Sequence, residues 1–179
     1  MASRAHTTVE LVPYDQGWPA RFAATAAEIH AVLPDAVIEH VGSTSVPGLS
    51  SKDTIDVAVG VRDVEEALDP EVLAALEVAG FVHRPESFAS DPDHAFLHRI
   101  VGDHRTDHVH VMRLGSAPLE GHRLFRDYLR AVPEAARSYE SMKLDLARRY
   151  ADHRSAYVDQ KQEVVDRLMV EARAWRRRT

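Results

Sequence analysis

The chain has no cysteine, which excludes disulfide frameworks, thiolate nucleophiles and cysteine-ligated zinc and fits a reducing compartment. No apolar run approaches the roughly 18 residues that a membrane span needs, and the opening MASRAHTTVELVPYD lacks an apolar core of signal-peptide length. A cytoplasmic protein with no membrane partner is therefore expected. Positive charge is also in deficit: 22 Lys+Arg stand against 28 Asp+Glu, a formal charge of -6 with the 11 histidines neutral. That balance gives no support for nucleic acid as a partner and leaves only a local basic pocket open.

Lysine itself is scarce. Of the 22 basic residues only Lys52, Lys143 and Lys161 are lysines, so each marks a position where a compact point charge is wanted and a planar guanidinium will not serve, codon bias being the plainer alternative. There is no low-complexity linker and no strict repeat, although Tyr139-x3-Lys143 and Tyr157-x3-Lys161 share one spacing. Four residues apart, each Tyr and Lys share a helical face. The length, with 45% hydrophobic and 28% charged residues, suits one domain over residues 1–179.

Trp18, Phe22, Ala26, Ile29 and Leu33 step by three or four and predict an amphipathic helix that stops before Pro34. Val37 to Val41 is a short β-branched strand, followed by the small-residue loop GSTSVPGLSS. In the next strand Ile55, Val57 and Val59 alternate with Asp56 and Ala58, which turns Asp56 away from the apolar face. Asp69-Pro70 opens a helix over 70–79 that closes at Gly80, and Phe81-Val82-His83 begins a strand. Residues 84–94 read as a loop, and 96–101 and 107–112 as strands around the turn GDHRT. Helices are expected near 120–131, 134–150 and 155–176. The class is α+β (mixed α/β), with a sheet-containing part over about 9–115 and a helical part over about 118–176.

The strongest chemical signal is His40-Val-Gly-Ser-Thr-Ser-Val-Pro-Gly-Leu, then Lys52, then Ile55-Asp56-Val57. A Gly42-Ser43 pair ending a strand lets backbone N–H groups and a hydroxyl approach a phosphate, and an Asp on the adjacent strand can hold a divalent metal against it. The plainer alternative is a simple loop with a partly buried Asp56.

The runs IEHVGSTSVPGLSSKDTIDVAVGV, DHVHV, FRDYLRAVPEAARSYESMKLDLARRY and AYVDQK, with the opening VELVPYDQGW, resemble the GrpB family, also called the UPF0157 family, over about residues 9 to 170. That family is similar to nucleotidyltransferases of the kanamycin-nucleotidyltransferase type, and it also occurs as the C-terminal portion of some dephospho-CoA kinases. The resemblance implies a mixed sheet with flanking helices, a helical C-terminal third and a nucleotide-like pocket. Gly42 and Ser43 match the superfamily's Gly-Ser turn, with Thr44 beside them, and Asp56 matches the first acid of its Asp-x-Asp/Glu pair. Ala58 stands at the second acid, which precludes the usual two-metal clamp. Asp53, three residues before Asp56, falls on the opposite face if the strand already runs there.

The segment resembling the third acid is His108-Val109-His110, whose histidines share a face while Asp107 points away. With Asp56 these histidines are expected to activate an acceptor, and Asp56 with His110 to hold a divalent metal, Mg²⁺ or Mn²⁺ or the softer Zn²⁺. Lys52, Lys143 and Lys161, with Gly42, Ser43 and Thr44, are expected to bind the phosphates of ATP or another nucleoside triphosphate. Tyr139 and Tyr157 stack or donate there, or else lie in the core with the lysines snorkelling past them. His94, His98 and His104 have uninformative spacing and read singly as solvated or hydrogen-bonded histidines.

Three functions fit these residues. The first is metal-dependent nucleotidyl transfer to a small-molecule acceptor. The second is a degenerate module that binds a nucleotide or a coenzyme A-type phosphometabolite, favoured by Ala58. The third is a histidine-rich metalloprotein hydrolase centred on His108, His110 and Asp56.

Overall fold

The computed structural model describes residues 9–179, except for the side chain of Arg154. Residues 1–8, the first part of the opening MASRAHTTVELVPYD, lie outside the described residues. The elements in chain order are α1 Trp18–Val32, β1 Val37–Val41, a 3-10 turn Ser43–Ser45, β2 Ile55–Val61 and a 3-10 turn Glu66–Leu68. There follow α2 Pro70–Val78, β3 Val82–His83, β4 His94–Val101, β5 His104–Arg113, α3 Ala117–Ala131, α4 Pro133–Arg149 and α5 Arg154–Arg176.

Among the described residues, five strands form one mixed sheet in the order β1-β2-β5-β4-β3. Every pairing is antiparallel except β2 with β5, which run parallel. Strand alternation then sorts the side chains. Ile55, Val57, Val59, Val109, Val111, Ala95 and Leu97 face α1 and α2 and join Trp18, Ile29, Leu76 and Phe81 in the larger core. Asp107 points to that side too, as its spacing predicts. It accepts from Thr25 Oγ1 at 2.7 Å, Arg99 Nε at 2.8 Å and Thr106 Oγ1 at 2.7 Å.

The opposite face carries Asp56, Ala58, His108 and His110, and it is covered by the C-terminal helices. Val41, Ala58 and Met112 pack on Leu119 of α3. Helices α3, α4 and α5 build a second core through Leu124, Leu129, Tyr139, Val164, Leu168 and Ala172, to which the loop after β1 adds Val46 and Leu49. No helix of the described residues is long and apolar enough to cross a membrane.

The observed boundaries differ from the expected ones where polar residues occupy strands. β4 begins at His94, not at Phe96, because His94 pairs with Met112 in the β5 ladder. The turn expected over GDHRT contracts to Gly102-Asp103, since Val101 already pairs with His104 and Gly102 takes φ 60°. α3 opens at Ala117 behind Ser116, which has an extended backbone, with Pro118 in the first turn, where a missing N–H costs no hydrogen bond. Asp69 precedes α2 as expected but makes no side-chain cap.

Candidate functional site

Val41 ends β1 opposite Asp56 of β2, and Asp56 lies opposite His108 of β5. The chain leaves β1 through Gly42 at φ 69°, a left-handed conformation that favours glycine. The position also demands glycine sterically. A Cβ there would overlap Asp56 Oδ2 and sit 2.8 Å from its Cγ. The carboxylate therefore rests on the Gly42 backbone. On its other side, His108 Nδ1 donates to Asp56 Oδ1 at 2.9 Å, so that a neutral ring would carry its lone pair on Nε2. That Nε2 is buried and has no partner among the described residues. Burial pushes the Asp56 carboxyl upward, but the His108 hydrogen bond and the charges of His108, His110 and Lys161 hold it far below the usual carboxylate range.

The 3-10 turn that follows is fixed by α3 and α4. Arg123 and Arg126 grip Glu39 of β1, Arg126 also donates to His40 O, and Arg130 donates twice to Ser45 O, at 2.9 and 2.7 Å. Glu140 accepts the Ser50 N–H at 2.7 Å. Burial opposes ionisation of Glu39, yet the two arginines hold its carboxyl below the usual range. Thr44 is fully buried with its Oγ1 2.9 Å from His40 Nε2, and the His40 ring stacks on Phe22. The Thr44 hydroxyl thus braces the loop from behind, and Ser43 is the hydroxyl on the lysine side. Asp53, in the loop before β2, is tied to α1 by Trp18 Nε1 at 2.8 Å and by Arg21.

All three lysines converge here. Lys143 is 2% exposed. Its Nζ donates to Ser43 Oγ at 3.2 Å and to Ser50 O, and it lies 4.7 Å from the centre of the Tyr139 ring. Lys52 Nζ lies 4.7 Å over Tyr157, while Lys161 is close enough for its charge to be felt by Asp56 and to feel Tyr139. Both tyrosines are buried, so the core reading holds for them. Lys143 does not snorkel outward. Burial, followed by the nearby charge of Lys161, lowers Lys143 to about 7. Lys161 is instead raised, first by Tyr139 and then, against the effect of burial, by Asp56 and Tyr157.

His110 turns from this corner toward two histidines that spacing alone does not single out. Its Nδ1 is 2.9 Å from His94 Nε2, and one ligand nitrogen from each of His94, His110 and His122 lies within 4.8 Å of the other two. Burial is the first cause of lowered basicity in all three, with His94 at about 4. Among the described residues this group of close donors excludes Asp56. His122 sits on α3, and only the packing of that helix on the sheet reveals it. His94 reads as loop until the ladder is seen.

Open grooves lie to either side among the described residues. One of about 570 Å³ runs between Pro47-Gly48 and Pro133. Another of about 530 Å³ is bounded by Phe88, Asp91 and His94. Neither is lined by Asp56 or the lysines, so the larger volume does not mark the chemistry. The convergent polar groups do.

A family model described as GrpB protein matches residues 8–171. A UPF0157 protein of Pseudomonas aeruginosa is 40% identical over 174 residues, covering 93% of this chain and 68% of that protein. The crystal structure of the conserved protein GrpB from Enterococcus faecalis matches with a TM-score of 0.83 at 28% identity, over 93% of this chain and 99% of that one. More distantly, the Cid1 poly(U) polymerase in its MgGTP-bound crystal structure matches with a TM-score of 0.51 at 15% identity, over 74% of this chain and 43% of that one. This last likeness is one of fold, and it supports the expected nucleotidyltransferase-like architecture.

Proposed function

Since the chain belongs to the GrpB family and has a nucleotidyltransferase-like fold, we propose that the corner at Gly42-Ser43 and Asp56 binds a nucleoside triphosphate and transfers its nucleotidyl group to a small acceptor. The observation that carries this reading is the placing of Lys143 on Ser43 and of Lys161 within reach of Asp56, with Lys52 near enough for its charge to act on Lys143. Three point charges confined beside a loop hydroxyl match a polyphosphate better than a neutral ligand. Asp56 acts as a positioning residue: by accepting from Nδ1 it fixes the His108 tautomer whose Nε2 can take the proton of an acceptor hydroxyl or amine. The acceptor oxygen or nitrogen attacks the α-phosphorus, the bond to the departing pyrophosphate breaks, and the lysines offset the charge that develops on it.

Cid1 is described with MgGTP bound, and a two-Mg²⁺ arrangement is the natural comparison. The residues here do not fit it. Asp56 already bonds His108, and the next side chain on the same strand face is Ala58, fully buried against Val41, Met112 and Leu119. Hard cations need several oxygen ligands, which this corner does not supply.

That same Ala58 favours a second reading, a module that binds a nucleotide or coenzyme A-type phosphometabolite without turnover. Calorimetry with ATP, GTP, CTP and UTP, alongside an assay for pyrophosphate release across small acceptors, separates the two. Release that Asp56→Asn and His108→Gln abolish supports transfer. Binding without release supports the module, and absence of both overturns the lysine pocket.

A further inference from the structure

We propose that His94, His110 and His122 form a binding site for a borderline transition-metal ion of the Zn²⁺ class, joining the sheet to the C-terminal helical layer. Strand register places two of the ligands. Phe96 pairs with His110 and His94 pairs with Met112, so His94 and His110 are diagonal neighbours on one face of the β4/β5 ladder. α3 then brings His122 over that face, with ring centres 4.7 Å from His110 and 6.1 Å from His94.

Three imidazole nitrogens gathered this closely suit zinc, copper, nickel or cobalt far better than magnesium or calcium. Tetrahedral coordination at Zn–N distances of 2.0–2.1 Å sets neighbouring nitrogens roughly 3.3 Å apart. The His94–His110 separation of 2.9 Å is already close to that value, and the outer limit of 4.8 Å is within reach of small rotamer adjustments. The ion would take the place of the hydrogen now shared between His94 Nε2 and His110 Nδ1.

The surroundings are those of a built site. Phe88 stacks on His94 with ring centres 3.8 Å apart, and Phe96 lies 5.1 Å from His110. Phe88 holds φ 60°, an unusual conformation for a bulky residue and a form of local strain that clusters at functional sites. His94 also lines the groove of about 530 Å³, which gives an ion a path from solvent. With three protein ligands the ion keeps a fourth position open, the arrangement of catalytic zinc and not of closed structural sites.

The site needs no nucleotide, and its test leaves nucleotides out. Untagged protein is stripped with chelator, then titrated with ZnCl₂ by calorimetry and with CoCl₂ by visible absorption. One equivalent of Zn²⁺ and the intense bands of tetrahedral Co²⁺ are expected. His94→Phe and His122→Asn should each weaken affinity by about 100-fold or more, beyond the loss from outer-shell changes, whereas His104→Ala, an exposed histidine, should bind as the parent does. Melting temperatures of the metal-free variants show that they fold. The Co²⁺ spectrum of the parent tests the site even where a variant does not fold. Substoichiometric binding, a six-coordinate Co²⁺ spectrum, or unchanged affinity in folded His94 and His122 variants overturns the proposal.

Discussion

The ammonium of Lys143 donates to Ser43 Oγ at 3.2 Å across a sequence separation of 100 residues. It ties α4 to the turn that follows β1, and it leaves a lysine with almost no contact with water. The two consequences pull in different directions, one toward ligand binding and one against stability, and both can be measured.

Lys143 titrates near 7 in the folded chain, well below an unfolded lysine. Between about pH 7 and the ordinary lysine value of 10.5 the unfolded state binds more protons at this position than the folded state does. The lowered value therefore costs stability fully below pH 7 and progressively less as pH rises to 10.5. Lys143→Met should flatten that part of the pH–stability profile, read from denaturant midpoints at a series of pH values.

The polyphosphate binding proposed above would have the opposite dependence, because it needs the ammonium form. Triphosphate affinity measured by calorimetry should fall as pH rises through about 7, and this fall should vanish in Lys143→Met. That variant should also bind about tenfold or more weakly at pH 6, in line with loss of a charge-assisted contact of 1.5–3 kcal/mol.

Gly42→Ala places a methyl group inside the Asp56 carboxylate at a φ of 69°. Strain and displacement together should cost about 2–4 kcal/mol. Triphosphate binding should be lost even where the variant remains folded, and paired thermal-shift and binding measurements separate the two effects.

Asp56→Asn keeps the shape and removes the anion that orients His108. If transfer occurs, turnover should fall by about 10³–10⁴-fold, as expected for loss of the group that sets a catalytic tautomer, while triphosphate affinity changes by less than about tenfold. Single-turnover kinetics would show the split between rate and binding.

Asp107 offers a contrasting carboxylate. Its partners Thr25, Thr106 and Arg99 all lie on the α1 side of the sheet. Asp107→Ala leaves Arg99 half-satisfied in a largely buried setting and should destabilise the chain by about 3–5 kcal/mol, with no effect on the triphosphate affinity of the protein that remains folded.

Much of this was legible in the residues. Alternation across Ile55–Val59 and Asp107–Val111 separates the apolar face from the one bearing Asp56, His108 and His110, because strand geometry leaves side chains no other choice. The rarity of lysine singled out Lys52, Lys143 and Lys161. The nearness of Lys143 to Tyr139 was legible in their spacing, but contacts across elements were not, since helix packing decides them: Tyr157 is covered by Lys52, and Lys161 comes near Tyr139. His122 was invisible for the same reason, lying on a helix whose angle to the sheet no local pattern encodes. His94 was hidden by Pro92 and Asp93, which make the start of β4 read as loop.

The single parallel pairing in the sheet bears on the order of assembly. β4 and β5 form a tight hairpin from neighbouring residues, but β5 meets β2 only after the chain has closed a loop that carries α2, β3 and β4. Local hairpins form early, and distant parallel contacts wait for that closure. The Asp56–His108 hydrogen bond spans this late seam. A chain caught partway through folding would hold every residue of the corner and yet have no corner, so the Asp56–His108 pair would appear only with the final docking of the sheet.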